Sequence, residues 1–149
     1  MPSQRERIRM TEAEAAEFLA TEKTVQVASI GPDGTPHLVP MWFAVIGGRI
    51  AFWTYAKSQK ALNLQRDPRV TCLVEAGESY GDLRGMSITG RAEITDDYDT
   101  VFDVGSKVYA RYMGDMNHAS RQGVEHEARK RVAVFVNPEK TASWDHRKI

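Results

Sequence analysis

The chain has 149 residues, about the length of one domain, and its 20 basic side chains are balanced by 20 acidic ones. Because the formal net charge is zero, no overall field draws the molecule to nucleic acid or to an anionic membrane surface. The sequence has no apolar run near the roughly 20 residues that cross a bilayer, no signal-peptide core and only one cysteine, Cys72. We therefore expect a single cytoplasmic domain over residues 1–149, with neither nucleic acid nor membrane as a partner.

The first part of the chain predicts one helix and then a series of strands. Thr11 and Glu14 form a capping box, so we expect a helix from Glu12 to Thr21. Alternating runs rich in β-branched and aromatic residues next predict strands over residues 24–30, 35–46 and 49–55. Gly47 and Gly48 separate the last two strands and predict a two-residue hairpin turn, because glycine tolerates the positive φ angles of that turn.

The middle and end of the chain add a short helix and further strands. The helix begins at Ser58 and ends before Asp67-Pro68, a pair that interrupts regular structure. Four more strand-like runs follow, over residues 69–75, 84–94, 131–137 and 141–144. We expect the last two runs to be separate strands around a turn at Pro138.

A longer helix and a polar segment lie between the run at 84–94 and the run at 131–137. The helix starts at Asp97 and carries apolar side chains three or four positions apart, at Val101, Val104, Val108 and Tyr112. Residues 114–130 have no clear apolar stripe and predict a loop plus a short helix. Six or seven mostly antiparallel strands with a few flanking helices predict a mainly β (α+β) fold built as a small β-barrel.

The segment Lys57-Ser58-Gln59-Lys60 carries the strongest chemical signal in the chain. It places two lysines beside a serine that can cap a helix, and the first-turn N–H groups of such a helix are free to face an anion. The helix dipole already makes this end positive, so the two ammonium groups cost some stability unless a negative ligand lies between them. The segment therefore indicates a phosphate site, and the alternative interpretation is an ordinary solvated helix start.

The strand that contains Pro36 and Pro40 has two interpretations. Proline donates no backbone hydrogen bond, so this strand cannot be paired on both sides along its whole length. It is either an ordinary edge strand or a strand whose free backbone groups bind a planar ligand, with Met41 and Trp42 lining the pocket. A hairpin would bring it to the same end of the barrel as the lysine segment.

No other constellation in the sequence supplies chemistry. The histidines have no metal-ligand spacing, so we expect no metal site; they are His37, His118, His126 and His146. No serine lies in a nucleophile-elbow context, which argues against a hydrolase. No catalytic side chain can be named, and if the protein is an enzyme, a bound cofactor carries the reaction.

Three segments of the chain resemble a known family. The run from Trp53 to Val70, with its Ser-x-Lys-x-x-x-Leu segment followed by Asp-Pro-Arg-Val, resembles the pyridoxamine 5′-phosphate oxidase-like, flavin-binding split-barrel superfamily. The run from Arg84 to Ile94, with its Gly-x-Ala pattern, is similar to a strand of that superfamily. The ending from Lys140 to Lys148 is similar to the C-terminal strand of an actinobacterial branch that uses the deazaflavin coenzyme F420. The resemblance covers the chain from about Glu12 to its end.

The resemblance implies a split-barrel homodimer and a set of cofactor-binding residues. The phosphate of the cofactor is expected at Lys57, Ser58 and Lys60. Its ribityl chain is expected near Thr54 and Ala56. The ring system is expected against the strand formed by Val39, Pro40, Met41 and Trp42.

The resemblance also implies an activity and a second subunit at each site. Arg84, or the C-terminal strand, of a second subunit is expected to complete the pocket. The implied reaction is hydride transfer from reduced F420 to an unsaturated or quinone-like small molecule. Two alternatives stay open: an FMN-dependent oxidase or reductase on the same fold, and a non-catalytic protein that carries a flavin or deazaflavin.

Overall fold

The computed structural model describes all 149 residues and contains one seven-stranded sheet, five α-helices and two short 3₁₀ turns. The strands are β1 (Val25–Ile30), β2 (Pro36–Met41), β3 (Ala44–Ile46), β4 (Arg49–Tyr55), β5 (Arg69–Ala76), β6 (Arg84–Thr95) and β7 (Arg131–Asp145). The helices are α1 (Gln4–Arg7), α2 (Glu12–Thr21), α3 (Gln59–Arg66), α4 (Tyr98–Met113) and α5 (His118–Ala128).

All neighbouring strands are antiparallel, in the order β2-β1-β5-β6-β7-β4-β3. β2 and β3 are the two edge strands of this sheet, although only Trp42 and Phe43 lie between them in the chain. Because three extended residues span at most about 11 Å, the sheet must curl until its two edges approach each other there. The fold is an antiparallel half-barrel with flanking helices, which confirms the predicted six- to seven-stranded α+β split barrel.

The local signals at the first helix and at the glycine hairpin are confirmed. The Thr11 Oγ1 accepts the Glu14 N–H at 3.1 Å and the Glu14 carboxylate accepts the Thr11 N–H at 3.0 Å, so α2 begins with a complete capping box. Gly47 and Gly48 have φ angles of 59° and 76°, and they join β3 to β4 as a hairpin. Both features depend on residues close together in the chain.

The predicted single strand over residues 35–46 is wrong at its centre. Met41 is the last residue of β2 and lies opposite Val25, whereas Ala44 is the first residue of β3 and lies opposite Ala51. Between them Phe43 turns into the barrel core and is fully buried. The strand pattern is continuous in sequence because both halves are extended, but the chain changes its pairing partner at Phe43.

The predicted pair of strands around Pro138 is also wrong, because β7 runs without a break from Arg131 to Asp145. The pairing with β6 shifts by one residue there: Gly90 lies opposite Pro138, and Thr89 lies opposite Lys140. The skipped residue makes a β-bulge, which accommodates a proline that cannot donate to the ladder. The bulge keeps one long strand where a turn was expected.

The helices include two that the sequence pattern described poorly. α5 has 11 residues and is capped by Asn117, but it buries only Val124 and Ala128, so its apolar stripe is too weak to predict its length. α1 is a single turn capped by Ser3 and was not predicted. None of the helices in the structure has the length and apolar character that a membrane crossing requires.

Two apolar clusters enclose the strand that leads to the lysine segment. The interior of the half-barrel holds 18 buried residues, among them Phe43 and Phe52. A second cluster of eight buried residues lies on the outer side, where α4 packs Val101 and Val104 onto β3, β4 and β7. β4 is thus covered on both faces, and close packing of this kind leaves its C-terminal end little freedom.

Cys72 lies in β5 and is fully buried. Burial raises the pKa of its thiol to about 12, so the reactive thiolate is scarce at neutral pH. Its side chain belongs to the barrel core and serves packing.

Candidate functional site

The lysine segment lies where β4 ends and α3 begins. The Ser58 Oγ accepts a hydrogen bond from the Ala61 N–H at 3.3 Å, so Ser58 is the N-cap of α3, as predicted. The Ser58 N–H donates to the Tyr55 carbonyl at 3.0 Å and closes a tight turn between the two elements. The first turn of α3 is therefore fixed next to the end of β4.

The side chains of Thr54, Ser58 and Lys60 meet at this turn. The Lys60 Nζ donates to the Thr54 Oγ1 at 3.0 Å, and the Thr54 Oγ1 lies 3.3 Å from the Ser58 Oγ. The Thr54 side chain is buried, whereas Ser58 and Lys60 are half-buried. The cluster combines one ammonium group with two hydroxyl groups, a set of donors suited to a phosphate group.

The charges around this cluster are unbalanced. Neither Lys57 nor Lys60 has a carboxylate oxygen within 4.0 Å. Burial lowers the pKa of Lys60, and the nearby positive charge of Arg131 lowers it further. Lys57 is exposed at the rim of the cluster. A half-buried ammonium group without a counterion is stabilised when an anion binds next to it.

Arg131 is a residue near this cluster that sequence reasoning missed. It is the first residue of β7 and lies opposite Tyr55, with its guanidinium group 4.1 Å from the centre of the Tyr55 ring and 4.7 Å from that of Trp53. One of its nitrogens lies 3.3 Å from the Glu127 carboxylate. No local signal could have revealed it, because its proximity to Lys60 depends on the pairing of β4 with β7.

A buried polar pair attaches α3 to the half-barrel, and it too was missed. The Asn63 side chain is fully buried, and its Nδ2 donates to the Ser29 Oγ of β1 at 3.1 Å. Its Oδ1 accepts from the Gln59 Nε2 at 2.7 Å. The Arg66 guanidinium donates to the Ile30 carbonyl. These contacts fix the position of α3, and with it the position of Ser58 and Lys60, relative to the sheet.

β2 is an edge strand that pairs only with β1, so one row of its backbone groups faces away from the sheet. Its side chains alternate between two environments. Val39 and Met41 are half-buried, and Met41 packs against the barrel core, whereas Pro40 is exposed. The four residues expected to line the ring system are therefore not a single wall of side chains, since neighbouring residues face opposite sides of the strand.

Trp42 lies where the chain crosses from β2 to β3, and its ring stacks on Tyr112 of α4. The two ring centres are 4.4 Å apart and the ring planes differ by 4°. The other side of the indole faces no aromatic ring in the structure, and 52 % of the residue is exposed. Sequence reasoning assigned Tyr112 to the apolar stripe of α4 and did not foresee this pair.

Ala56 and Arg84 occupy opposite ends of the sheet. The Ala56 N–H donates to the Lys130 carbonyl at 2.9 Å, which places Ala56 beside the lysine cluster. Arg84 lies opposite Asp145 at the far end of β7, so the single chain does not bring it to the cluster. It borders a cavity of about 250 Å³, and its buried Nε has no hydrogen-bond partner.

The chemistry available at the cluster is the binding of an anion. Thr54, Ser58 and Lys60 include no nucleophile paired with a general base. Nowhere in the structure are three or more His, Cys, Asp or Glu side chains arranged to hold a metal ion. The ammonium group and the two hydroxyl groups are therefore suited to binding a phosphate group.

A curled antiparallel half-barrel with a capped helix after its fourth strand defines the class of flavin-binding split-barrel proteins. Within that class, the model of the pyridoxamine 5′-phosphate oxidase family matches residues 11–145. The chain belongs to this family. No curated protein matches the sequence.

Solved structures give three informative likenesses. A conserved hypothetical protein, Rv2991 from Mycobacterium tuberculosis, is 48 % identical, with a TM-score of 0.93 over 99 % of this chain and 92 % of its own. An F420 reductase is 25 % identical, with a TM-score of 0.67 over 95 % of this chain and 98 % of its own. The haem storage protein HutZ from Vibrio cholerae is 18 % identical, with a TM-score of 0.70 over 90 % of this chain and 93 % of its own, and shares the fold alone.

Proposed function

We propose that this protein is an F420-dependent reductase that acts in the cytoplasm as a homodimer and transfers hydride to an unsaturated or quinone-like small molecule. The observation that carries the proposal is the Lys60 ammonium group, which is half-buried, bonded to Thr54 and without any carboxylate. The similarity to an F420 reductase, at 25 % identity over nearly the whole of both chains, supports the choice of cofactor.

The residues of the cluster fit the phosphate end of such a cofactor. Lys60 and the Ser58 hydroxyl would hold the phosphate oxygens, because both lie at the N-terminus of α3, where N–H groups and the helix dipole favour negative charge. Lys57 would meet the phosphate from the rim. Thr54 and Ala56 would adjoin the ribityl chain, since both lie at the same turn between β4 and α3.

The ring system would lie along β2. Val39, Pro40 and Met41 would offer the edge of that strand, with Trp42 at its end, and the unpaired row of backbone groups would offer hydrogen bonds to a planar heterocycle. A reduced deazaflavin held there would supply a hydride to the acceptor. The chain itself would bind, orient and shield the reacting rings, which explains why it lacks an acid–base pair.

A second subunit would complete each site. Arg84 lies too far along β6 and β7 to reach the lysine cluster of its own chain, and its buried Nε lacks a partner. A buried donor without a partner is costly, so a group from outside the chain would stabilise the Arg84 guanidinium group. We propose that this group is the cofactor bound to the other subunit.

The second candidate is an FMN-dependent reductase or oxidase on the same fold. One ammonium group and two hydroxyl groups at Thr54, Ser58 and Lys60 form a site for a single phosphate, and FMN carries a single terminal phosphate. The same cluster would therefore serve either cofactor. The two candidates differ in the ring system that would lie against β2, which is a deazaflavin in F420 and a flavin in FMN.

A binding and turnover experiment separates these candidates. Purified protein, stripped of small molecules, is titrated with F420 and with FMN, and each reduced complex is then mixed with a panel of quinones. The proposal expects tight binding of F420, weak binding of FMN and oxidation of the bound deazaflavin by at least one quinone. A protein that binds FMN and not F420 supports the second candidate. Binding of F420 without turnover by any acceptor contradicts an enzymatic role and favours a carrier.

A further inference from the structure

The Trp42 side chain stacks on Tyr112 and is not packed into the barrel core. Trp42 follows the last residue of β2, and the side chains on either side of it, Met41 and Phe43, pack into the barrel. The Trp42 ring instead lies outside the barrel and stacks in parallel on Tyr112, with 4.4 Å between the ring centres. About half of this large apolar residue stays exposed, although burying it would be favourable.

Tyr112 is held in one orientation from several directions. Its hydroxyl group accepts the Phe43 N–H at 3.1 Å and donates to the Lys23 carbonyl. Lys23 lies in the connection between α2 and β1. Its ammonium group lies 5.4 Å from the centre of the Tyr112 ring and donates a hydrogen bond to the Arg111 carbonyl at 3.3 Å. Because these contacts fix the Tyr112 ring, they also fix the plane of the indole stacked on it.

The free side of the indole is therefore a rigid, flat and electron-rich surface. No other aromatic ring stacks on Trp42, and its indole N–H has no hydrogen-bond partner within the chain. The face of an aromatic ring carries negative charge density, which favours an electron-poor ring over another electron-rich one. Quinones and nitroaromatic compounds are planar molecules of this kind.

We propose that Trp42 is the platform on which the planar, electron-poor acceptor stacks, and that Tyr112 is the positioning residue that sets the plane of the platform. The inference rests on the proposed function and specifies its substrate class. Trp42 directly follows Met41, the last residue of β2, which is the strand along which the cofactor ring is proposed to lie. An acceptor stacked on the exposed face of Trp42 would therefore lie next to the proposed position of the cofactor ring.

The first test measures binding of 2-methyl-1,4-naphthoquinone to the cofactor-free protein by equilibrium dialysis. Trp42→Ala should weaken binding about threefold to tenfold, as the loss of one aromatic stacking contact does. Trp42→Phe should restore most of the affinity, because it keeps a flat ring. The control is Met113→Ala, which removes another exposed apolar side chain next to Tyr112 and should leave binding unchanged.

A second measurement tests the role of Tyr112. Tyr112→Leu removes the ring beneath Trp42 and should weaken naphthoquinone binding, as Trp42→Ala does. Tyr112→Phe keeps the stacked ring and should weaken binding less. In turnover assays Trp42→Ala should raise the KM for the quinone by a larger factor than it lowers kcat or the affinity for F420. These readouts separate a platform from a residue that only stabilises the fold.

Three outcomes would overturn the inference. Naphthoquinone binding that is unchanged in Trp42→Ala shows that the indole is no platform. An equal loss of F420 affinity shows that it contacts the cofactor instead, and conversion of a dimer to a monomer shows that it is an interface residue. Failure of F420 to bind the wild-type protein would refute the proposed cofactor but leave the dialysis result intact, so the two proposals fail separately.

Discussion

Lys60 and Thr54 form the hydrogen bond that joins helix α3 to strand β4, with 3.0 Å between the Nζ and the Oγ1. The threonine is buried and the lysine half-buried, and no carboxylate neutralises the ammonium group. This bond holds the amine next to the Ser58 hydroxyl without cancelling its charge. The amine is therefore already positioned for the anion that we propose binds there, and such preorganisation reduces the entropy lost on binding.

The double variant Lys57→Ala/Lys60→Ala should lose cofactor affinity and keep its fold. Each charge-assisted contact to a phosphate contributes about 1.5–3 kcal/mol, with the exposed Lys57 contributing less than Lys60. Isothermal titration with F420 measures the loss, and urea unfolding measures stability. Lys140→Ala is the matched control, because Lys140 is exposed and equally free of carboxylates. Normal binding by the double variant would rule out the phosphate site.

Thr54→Val should weaken both the fold and the site. Valine keeps the volume of threonine but removes the hydroxyl group, so the Lys60 ammonium group loses its one hydrogen bond. An unsatisfied buried polar group costs about 1–3 kcal/mol, and we expect a loss of this size in the free energy of unfolding. Thr54→Ser, which restores the hydroxyl group, should recover most of it. If valine and serine give the same stability and the same F420 affinity, the hydroxyl group has no role.

Lys60 should make stability and cofactor binding depend on pH in opposite directions. Burial lowers its pKa below the ordinary value of 10.5, so just below pH 10.5 the unfolded chain binds more protons than the folded one. The free energy of unfolding of the free protein should therefore rise with pH in that window. A bound anion favours the charged amine, so F420 affinity should fall as pH rises there.

The control for this pH dependence is Lys60→Gln, which has no charge to lose. In that variant the free energy of unfolding and the F420 affinity should both vary less with pH just below 10.5. Urea unfolding and F420 titration at several pH values measure the two quantities. A wild-type affinity that stays constant across this range would show that the Lys60 charge does not contact the ligand.

Two glycine substitutions in helices should have opposite effects on stability. A Cβ atom at Gly105 of α4 would overlap the Trp53 ring, so Gly105→Ala should destabilise the protein by about 1–3 kcal/mol through overpacking. A Cβ atom at Gly123 of α5 meets nothing within 4 Å, so Gly123→Ala should stabilise the protein by about 0.5–1 kcal/mol. Thermal unfolding of both variants checks the packing of α4 on β4. Equal changes in stability at Gly105 and Gly123 would contradict the close packing of α4 on β4.

A residue of the candidate site could be predicted from the sequence only where its contacts are with residues nearby in the chain. Ser58 could be predicted as the N-cap of α3 because its partner, Ala61, is three residues away. Asn63 and Ser29 could not, because their contact spans 34 residues and depends on how α3 packs against β1. The same holds for Tyr112, whose hydroxyl group bonds an N–H 69 residues distant.

The sequence by itself determined the caps of α2 and α3, the glycine hairpin and the antiparallel character of the strands, because neighbouring residues decide each of these. It also predicted the lysine segment as an anion site. The tertiary structure alone decided that β2 and β3 are opposite edges of one sheet, that Trp42 lies outside the barrel on Tyr112, and that Arg84 is far from Lys60. The physical reason is that strand register and helix packing minimise the free energy of the whole core, and no local pattern encodes that choice.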